Sequence, residues 1–195
     1  FYVAATVCSP SRTAFMTSHV PARHLIHGHL SDKEQNEARS MPDWLDAGAL
    51  RSVPVRAGEA WRAVTALTLH LDVGHMLSNL GFGTVFGLLA GQLLGPGVAW
   101  ASVLLAAASA NLLNAWVQPE VHSSVGASTA VFATLGLLAA YAWRRRSGET
   151  GGRAYRWAPL IAGVFLLAFT GVGGENTDVL AHLTGFVTGA LVGVL

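Results

Sequence analysis

The chain has one cysteine, Cys8, and one lysine, Lys33, among its 195 residues. A lone thiol closes no intrachain disulfide, so no disulfide framework is available and cysteine usage says nothing about redox compartment. Charge is scarce as well: 12% of residues are Asp, Glu, Lys or Arg and the formal net charge is +1, where a soluble domain carries about twice that charged share. Without a basic excess, no nucleic-acid partner is expected. Between Arg62 and Arg144 the only formally charged residues are Asp72 and Glu120. A secretory leader is also not recognisable, since the chain opens on Phe1 and its first seven residues lack both a charged start and a cleavage site; the start reads as incomplete or rearranged. Much Gly, Ala and Arg beside a single Lys suits a GC-rich bacterial gene.

What the chain does have is apolar residues, 52% of the total, distributed unevenly. Residues 1 to about 60 are polar, hold His19, His24, His27 and His29, and include the run DKEQNEAR at 32–39. From about residue 63 the pattern changes to apolar stretches near the ~20 residues that a helix needs to cross a ~30 Å hydrocarbon layer. Five are expected, at about 73–94, 98–117, 126–143, 158–172 and 178–195. Gly95-Pro96-Gly97 separates the first two. All must be helical, because lipid offers no partner to a free backbone N–H or C=O and no barrel alternation is present. The fold class is therefore all-α, a polytopic membrane helix bundle.

Arg144, Arg145, Arg146, Arg153 and Arg156 crowd the connection between the third and fourth stretches, which places that loop on the cytoplasmic side. Glu120, Glu175 and Asp178 then face outward. Counting back leaves residues 1–60 outside with nothing to export them. Arg51, Arg56 and Arg62 also sit awkwardly there, and a further helix before residue 60 would resolve the conflict.

Polar groups inside membrane helices are costly and mark function. Three sets stand out. His75 and Asn79 are four apart and share a helix face. Ser128 opens the third helix at 125-VGAST-129, where free N–H groups and the positive dipole end favour developing negative charge. His182 shares a stripe with Gly185 and Gly189, while the Ala181, Gly185, Gly189 series gives a small residue every four positions and permits close helix approach. All three sets lie at the outer ends of their helices. If the glycine stripe faces the third helix, His182 comes within reach of Ser128 as general base to a nucleophile, with His75, Asn79 and the Ser128 amide as donors to an oxyanion. Taken singly, each has a plainer reading: Ser128 as a cap, His75 and Asn79 as interhelical hydrogen-bonding groups, the glycines as packing. It is their conjunction at one depth that favours chemistry. The histidines at 19, 24, 27 and 29 have no diagnostic metal spacing, and neither a metal nor a cofactor is expected.

From about residue 58 to the end, the residues resemble the rhomboid family of intramembrane serine proteases. The resemblance rests on Trp61-Arg62, on His75 and Asn79, on the Gly126-x-Ser128 turn, and on Ala181-His182-x-x-Gly185. It implies a Ser128–His182 dyad without a third acid, an oxyanion site of His75, Asn79 and the Ser128 amide, Gly126 and Gly185 in support, and His70 near the mouth. It further implies partners in the lipid bilayer, namely transmembrane protein substrates cut near the outer ends of their spans. The wording VGASTAVFATLG and TDVLAHLTG is similar to a rhombosortase-like branch thought to process proteins with a C-terminal Gly-Gly signal. A multi-pass protein of a bacterial inner membrane, with its site open to the outer face, is the expected setting. Thr129 stands where the family motif has Gly, and Phe132 where a tyrosine often packs beneath the histidine. The usual first helix, which should precede Trp61, is expected to be missing.

A second resemblance lies in residues 1–46. There, 8-CSPSRTAFMTSHVPARHLIHG-28 looks like the signature of type I sulfatases, with Cys8 at the position converted to formylglycine and Arg12 as its partner. Ser18 replaces a customary Gly, and the family's other metal-binding groups have no counterpart. The expected organisation is thus a vestigial sulfatase-like fragment at 1–46 followed by a rhomboid-like membrane domain at 47–195. Two alternatives to a protease remain: an inactive rhomboid-like membrane binding protein, suggested by Thr129 and the lost helix, and a sulfatase, suggested by Cys8 alone.

Overall fold

The computed structural model describes residues 41–171 and 177–195. The sulfatase-like motif with Cys8 and Arg12, the four early histidines and most of the segment in which a first helix would lie fall outside these residues. Ala49–Leu195 forms one unit; of the other, Phe1–Gly48, only helix α1, Met41–Gly48, is described.

The larger unit begins with a two-residue strand β1 (Leu50–Arg51), two short helices α2 (Ser52–Arg56) and α3 (Arg62–Thr65), and a 3-10 turn at Ala66–Thr68. Helices α4 (Val73–Leu94) and α5 (Pro96–Val117) follow, then strand β2 (Ser123–Ser124), α6 (Ser128–Arg146), α7 (Arg153–Thr170) and α8 (Val179–Val194). The strands pair antiparallel, Leu50 opposite Ser124 and Arg51 opposite Ser123. This ladder fastens the loop leading into α6 to the segment before α4.

The expected helices are all present, and α4 has the anticipated bounds. Helix α5 starts two residues earlier than expected because Pro96 occupies its first turn, where a missing N–H costs nothing. Helix α6 starts at Ser128 instead of 126 because Gly126 adopts φ +131, outside helical space. Helix α7 reaches back to Arg153, since a helix does not stop where its apolar stretch stops. By length and hydropathy, α4 and α5 are able to cross a membrane, and α8 is apolar but shorter. Val73, Leu77, Leu80, Val85 and Leu88 on α4, and Ile161, Phe165 and Phe169 on α7, are exposed. So much outward apolar surface is abnormal in water and ordinary in lipid.

Helix α6 is the hub, packing against α4, α5, α7 and α8. From Val131 to Leu137 every residue is buried, as expected of a helix covered on all sides. Its interface with α8 is a backbone-to-backbone contact. A Cβ on Gly185 would lie 2.6 Å from the Thr129 carbonyl oxygen, one on Gly189 1.9 Å from that of Ala133, and one on Gly193 2.4 Å from that of Leu137. The small-residue series therefore faces the third expected helix and runs one step further, to Gly193.

The arginines before α4 are used structurally. Arg56 donates to the Ala115 and Trp116 carbonyls, each at 3.1 Å, and to that of Gln118, satisfying the orphan acceptors at the C-terminus of α5 where a cation is favoured. Arg62 is buried, donates to the Ala49 carbonyl at 3.0 Å and pairs with Glu59. Asn111 adds a 2.8 Å bond to the Ala63 carbonyl. Arg56 and Arg62 are thus tied into the fold, so their weight as topology signals is small.

Candidate active site

Ser128 is the first residue of α6 and half-buried. No side chain caps this helix end, so its first-turn N–H groups point toward whatever lies before it. The approach is shaped by Gly126, whose N–H donates to the Ala66 carbonyl at 2.9 Å. A Cβ there would lie 2.6 Å from Cε1 and 2.8 Å from Nε2 of His75, and 3.7 Å from Nδ2 of Asn79. Glycine is needed twice over, for the positive φ and for the imidazole lying against it.

His75 and Asn79 come from the first two turns of α4, which is capped by Asp72 accepting from the His75 N–H at 2.8 Å. Asn79 is 8% exposed, and its Nδ2 is buried without a hydrogen-bond partner. An orphaned buried donor is expensive, and its presence invites an acceptor. His70 stands edge-on to His75, centroids 5.3 Å apart, with a buried, unpartnered Nε2. Burial, then the neighbouring His75, hold the His70 pKa below the usual histidine value, so the ring is neutral at neutral pH.

His182 sits in the first turn of α8, 7% exposed. Its Nδ1 is 2.8 Å from the Gly171 carbonyl oxygen. A carbonyl only accepts, so Nδ1 carries the proton and the neutral ring has its lone pair on Nε2. The ring leans on Phe132, centroids 4.4 Å apart at 36°, so the phenylalanine supplies an aromatic pad beneath the histidine. Phe132 is one turn from Ser128 on α6, and Thr129 is seated on Gly185. The structure thus gathers the ends of α4, α6 and α8, bringing His75 and Asn79 to the turn before Ser128 and His182 to the turn after it. Among the described residues there is no hydrogen bond between the Ser128 hydroxyl and His182.

A cleft of about 720 Å³ runs between α4, α5 and α6. His70, Asn79 and Ala127 line it, and Leu80, Leu88 and Trp100 are among its mostly apolar walls.

Residues 57–195 match the family model described as "Rhomboid domain". The chain belongs to the rhomboid family. It is 35% identical over 136 residues, 67% of this chain and 49% of the relative, to Rhomboid-like protease 3 of Toxoplasma gondii. To Rhomboid-like protease 2 of the same organism it is 32% identical over 143 residues, 72% and 49% of the two chains. Rhomboid-like protein 11, chloroplastic, of Arabidopsis thaliana is 33% identical over 147 residues, 70% and 51%. The chain spans about half the length of these curated relatives. Membership makes this rhomboid an integral membrane protein and, at family level, a relative of proteases; the relatives named are eukaryotic.

Four groups of this rhomboid were not singled out from sequence: the Gly171 carbonyl, which accepts from His182 Nδ1, and Asn114, His122 and Asp178, which cluster at the head of α8. Asp178 did carry a signal, being an N-cap residue type just ahead of an apolar helix. The others become neighbours only through tertiary folding.

Proposed function

We propose that this rhomboid is an intramembrane serine endopeptidase in which Ser128 is the nucleophile and His182 the general base, cutting substrate transmembrane segments near their outer ends. The observation that supports this best is the state of His182: Nδ1 is held by the Gly171 carbonyl, and the ring is pressed on Phe132 of the serine-bearing helix. A carbonyl in that position does the tautomer-fixing work that an acid does in a triad, which accounts for a two-residue dyad.

In the proposed reaction the Ser128 Oγ attacks the scissile carbonyl carbon and its proton passes to His182 Nε2. The oxyanion is stabilised by the Asn79 Nδ2, His75 and the uncapped N–H groups at the start of α6. His182 returns the proton to the leaving amine, and water repeats the cycle on the acyl-enzyme. We further propose five spans with the arginine-rich α6–α7 connection on the cytoplasmic side and the site open to the outer face of a bacterial inner membrane. Substrates of rhombosortase type, with a C-terminal Gly-Gly signal, are the proposed clients on the strength of the sequence wording. Thr129, buried beside the nucleophile, favours one other reading, an inactive membrane binding protein.

Cleavage of a helical substrate by the reconstituted chain distinguishes them. Ser128→Ala and His182→Ala are each expected to abolish cleavage; activity surviving in either contradicts the dyad, and substrate capture without any turnover by the unmodified chain supports the binding protein.

A further inference from the structure

The head of α8 is held by a polar cluster outside the dyad. The Asp178 carboxylate lies in the loop before that helix, four residues ahead of His182. Its Oδ1 accepts from the Ala181 N–H at 3.0 Å, capping the helix, and from Gln118 at 3.4 Å. Its Oδ2 accepts from Asn114 Nδ2 at 2.8 Å and lies 2.9 Å from His122 Nε2. Asn114 is fully buried on α5, and the side chains of His122 and Asp178 are only 17% and 14% exposed. A solvated surface pair would not require a buried amide aimed at it.

The placement of these groups suggests their use. His122 belongs to the loop that pairs with β1 and then runs through Gly126 into Ser128. Asp178 begins the helix that carries His182 one turn later. The His122–Asp178 contact therefore joins the segment leading to the nucleophile with the segment leading to the base, and Asn114 anchors both to α5. We infer that Asn114, His122 and Asp178 form a clamp that sets the His182 imidazole relative to Ser128, making them positioning residues of the site. The inference rests on the Ser128–His182 reading given above. Partners of this kind, which orient a reacting group without touching substrate, typically change activity about 10- to 100-fold when removed.

The test uses the full chain reconstituted in lipid. Asp178→Asn keeps a capping side chain but removes the charge, and His122→Gln keeps a hydrogen-bonding side chain on an exposed-edge loop where folding is less at risk. Each is expected to lower kcat about tenfold with KM changed less than twofold, and to slow fluorophosphonate labelling by the same factor. Combined, they are expected to cost no more than the worse single variant, because both break one contact. The ring-nitrogen NMR signals of His182 are expected to move in both. Unchanged kcat and unmoved His182 signals, or a double variant with multiplied losses, overturn the clamp. Ser128→Ala is carried alongside: if that chain still cleaves, the protease reading falls, while the His182 signals go on judging the clamp.

Discussion

On one side of α6 the neighbouring backbone is in contact; on the other there is a cleft. Toward α8, Gly185, Gly189 and Gly193 fit against the carbonyls of Thr129, Ala133 and Leu137 with no room for a methyl group. Toward α4, the approach is looser: a Cβ on Gly83 would reach only Val131 Cγ2 at 3.6 Å, an ordinary contact. The closed side carries Ser128 and His182, the proposed nucleophile and base, on two helices whose backbones touch. The open side carries His70 and Asn79 at its head and leaves space beside them. Close packing is thus concentrated where the proposed dyad requires two side chains to meet, in keeping with the tolerance that a preorganised site demands.

The largest effect is expected from breaking the closed side. Gly189→Val puts branched carbon into the Ala133 carbonyl and should lose about 3 kcal/mol or more, enough to prevent recovery of folded protein; a thermal unfolding midpoint near that of the parent would show that the contact is softer than described. Next is Asn79→Ala at the border of the two sides. Removing the proposed oxyanion donor should lower kcat about 100-fold or more while leaving the unfolding midpoint nearly unchanged, because Asn79 Nδ2 gives up no existing bond. Phe132→Leu, at the heart of the closed side, should lose about 1 kcal/mol with the ring contact to His182, read by denaturation in detergent. Gly83→Ala, on the open side, should be neutral or stabilise by up to about 1 kcal/mol through helix propensity, and a loss as large as that of Gly189→Val would erase the distinction between the two sides.

Acid offers a further probe of how α8 is fixed. Burial pushes the Asp178 carboxyl up, but the Ala181 N–H, the Asn114 amide and His122 outweigh it and hold the pKa below the ordinary carboxylate value. A depressed folded pKa means that the stabilisation is present above the unfolded value, about 4, and disappears as pH falls through the lower folded one. The parent should therefore lose stability below about pH 4 more steeply than Asp178→Asn, in unfolding midpoints taken across that range.

The sequence announces its helices well because lipid forces a long apolar run to be helical, and because Gly95, Pro96 and Gly126 punctuate them by their backbone preferences. His75, Asn79, Ser128 and His182, the residues proposed for the site, stand out in the sequence for a related reason: polar groups are conspicuous in apolar helices. The proposed clamp does not: His122 and Asp178 stand in a loop and at a helix cap, where polar residues are the rule, and Asn114, although inside the apolar α5, has no partner visible in the sequence. The Gly171 carbonyl was invisible because every residue has one. The β1–β2 pairing escaped notice too, two residues being too few to show an alternation. Cys8 and Arg12 belong to residues outside those described, and their sulfatase-like motif is an expectation from sequence alone.

The dyad itself is tested most directly by locating a fluorophosphonate adduct by peptide mass in the membrane-reconstituted chain. The account predicts label on the peptide containing Ser128, at Ser128, and its loss in His182→Ala. Label at another residue, or undiminished labelling of Ser128 without His182, would contradict it.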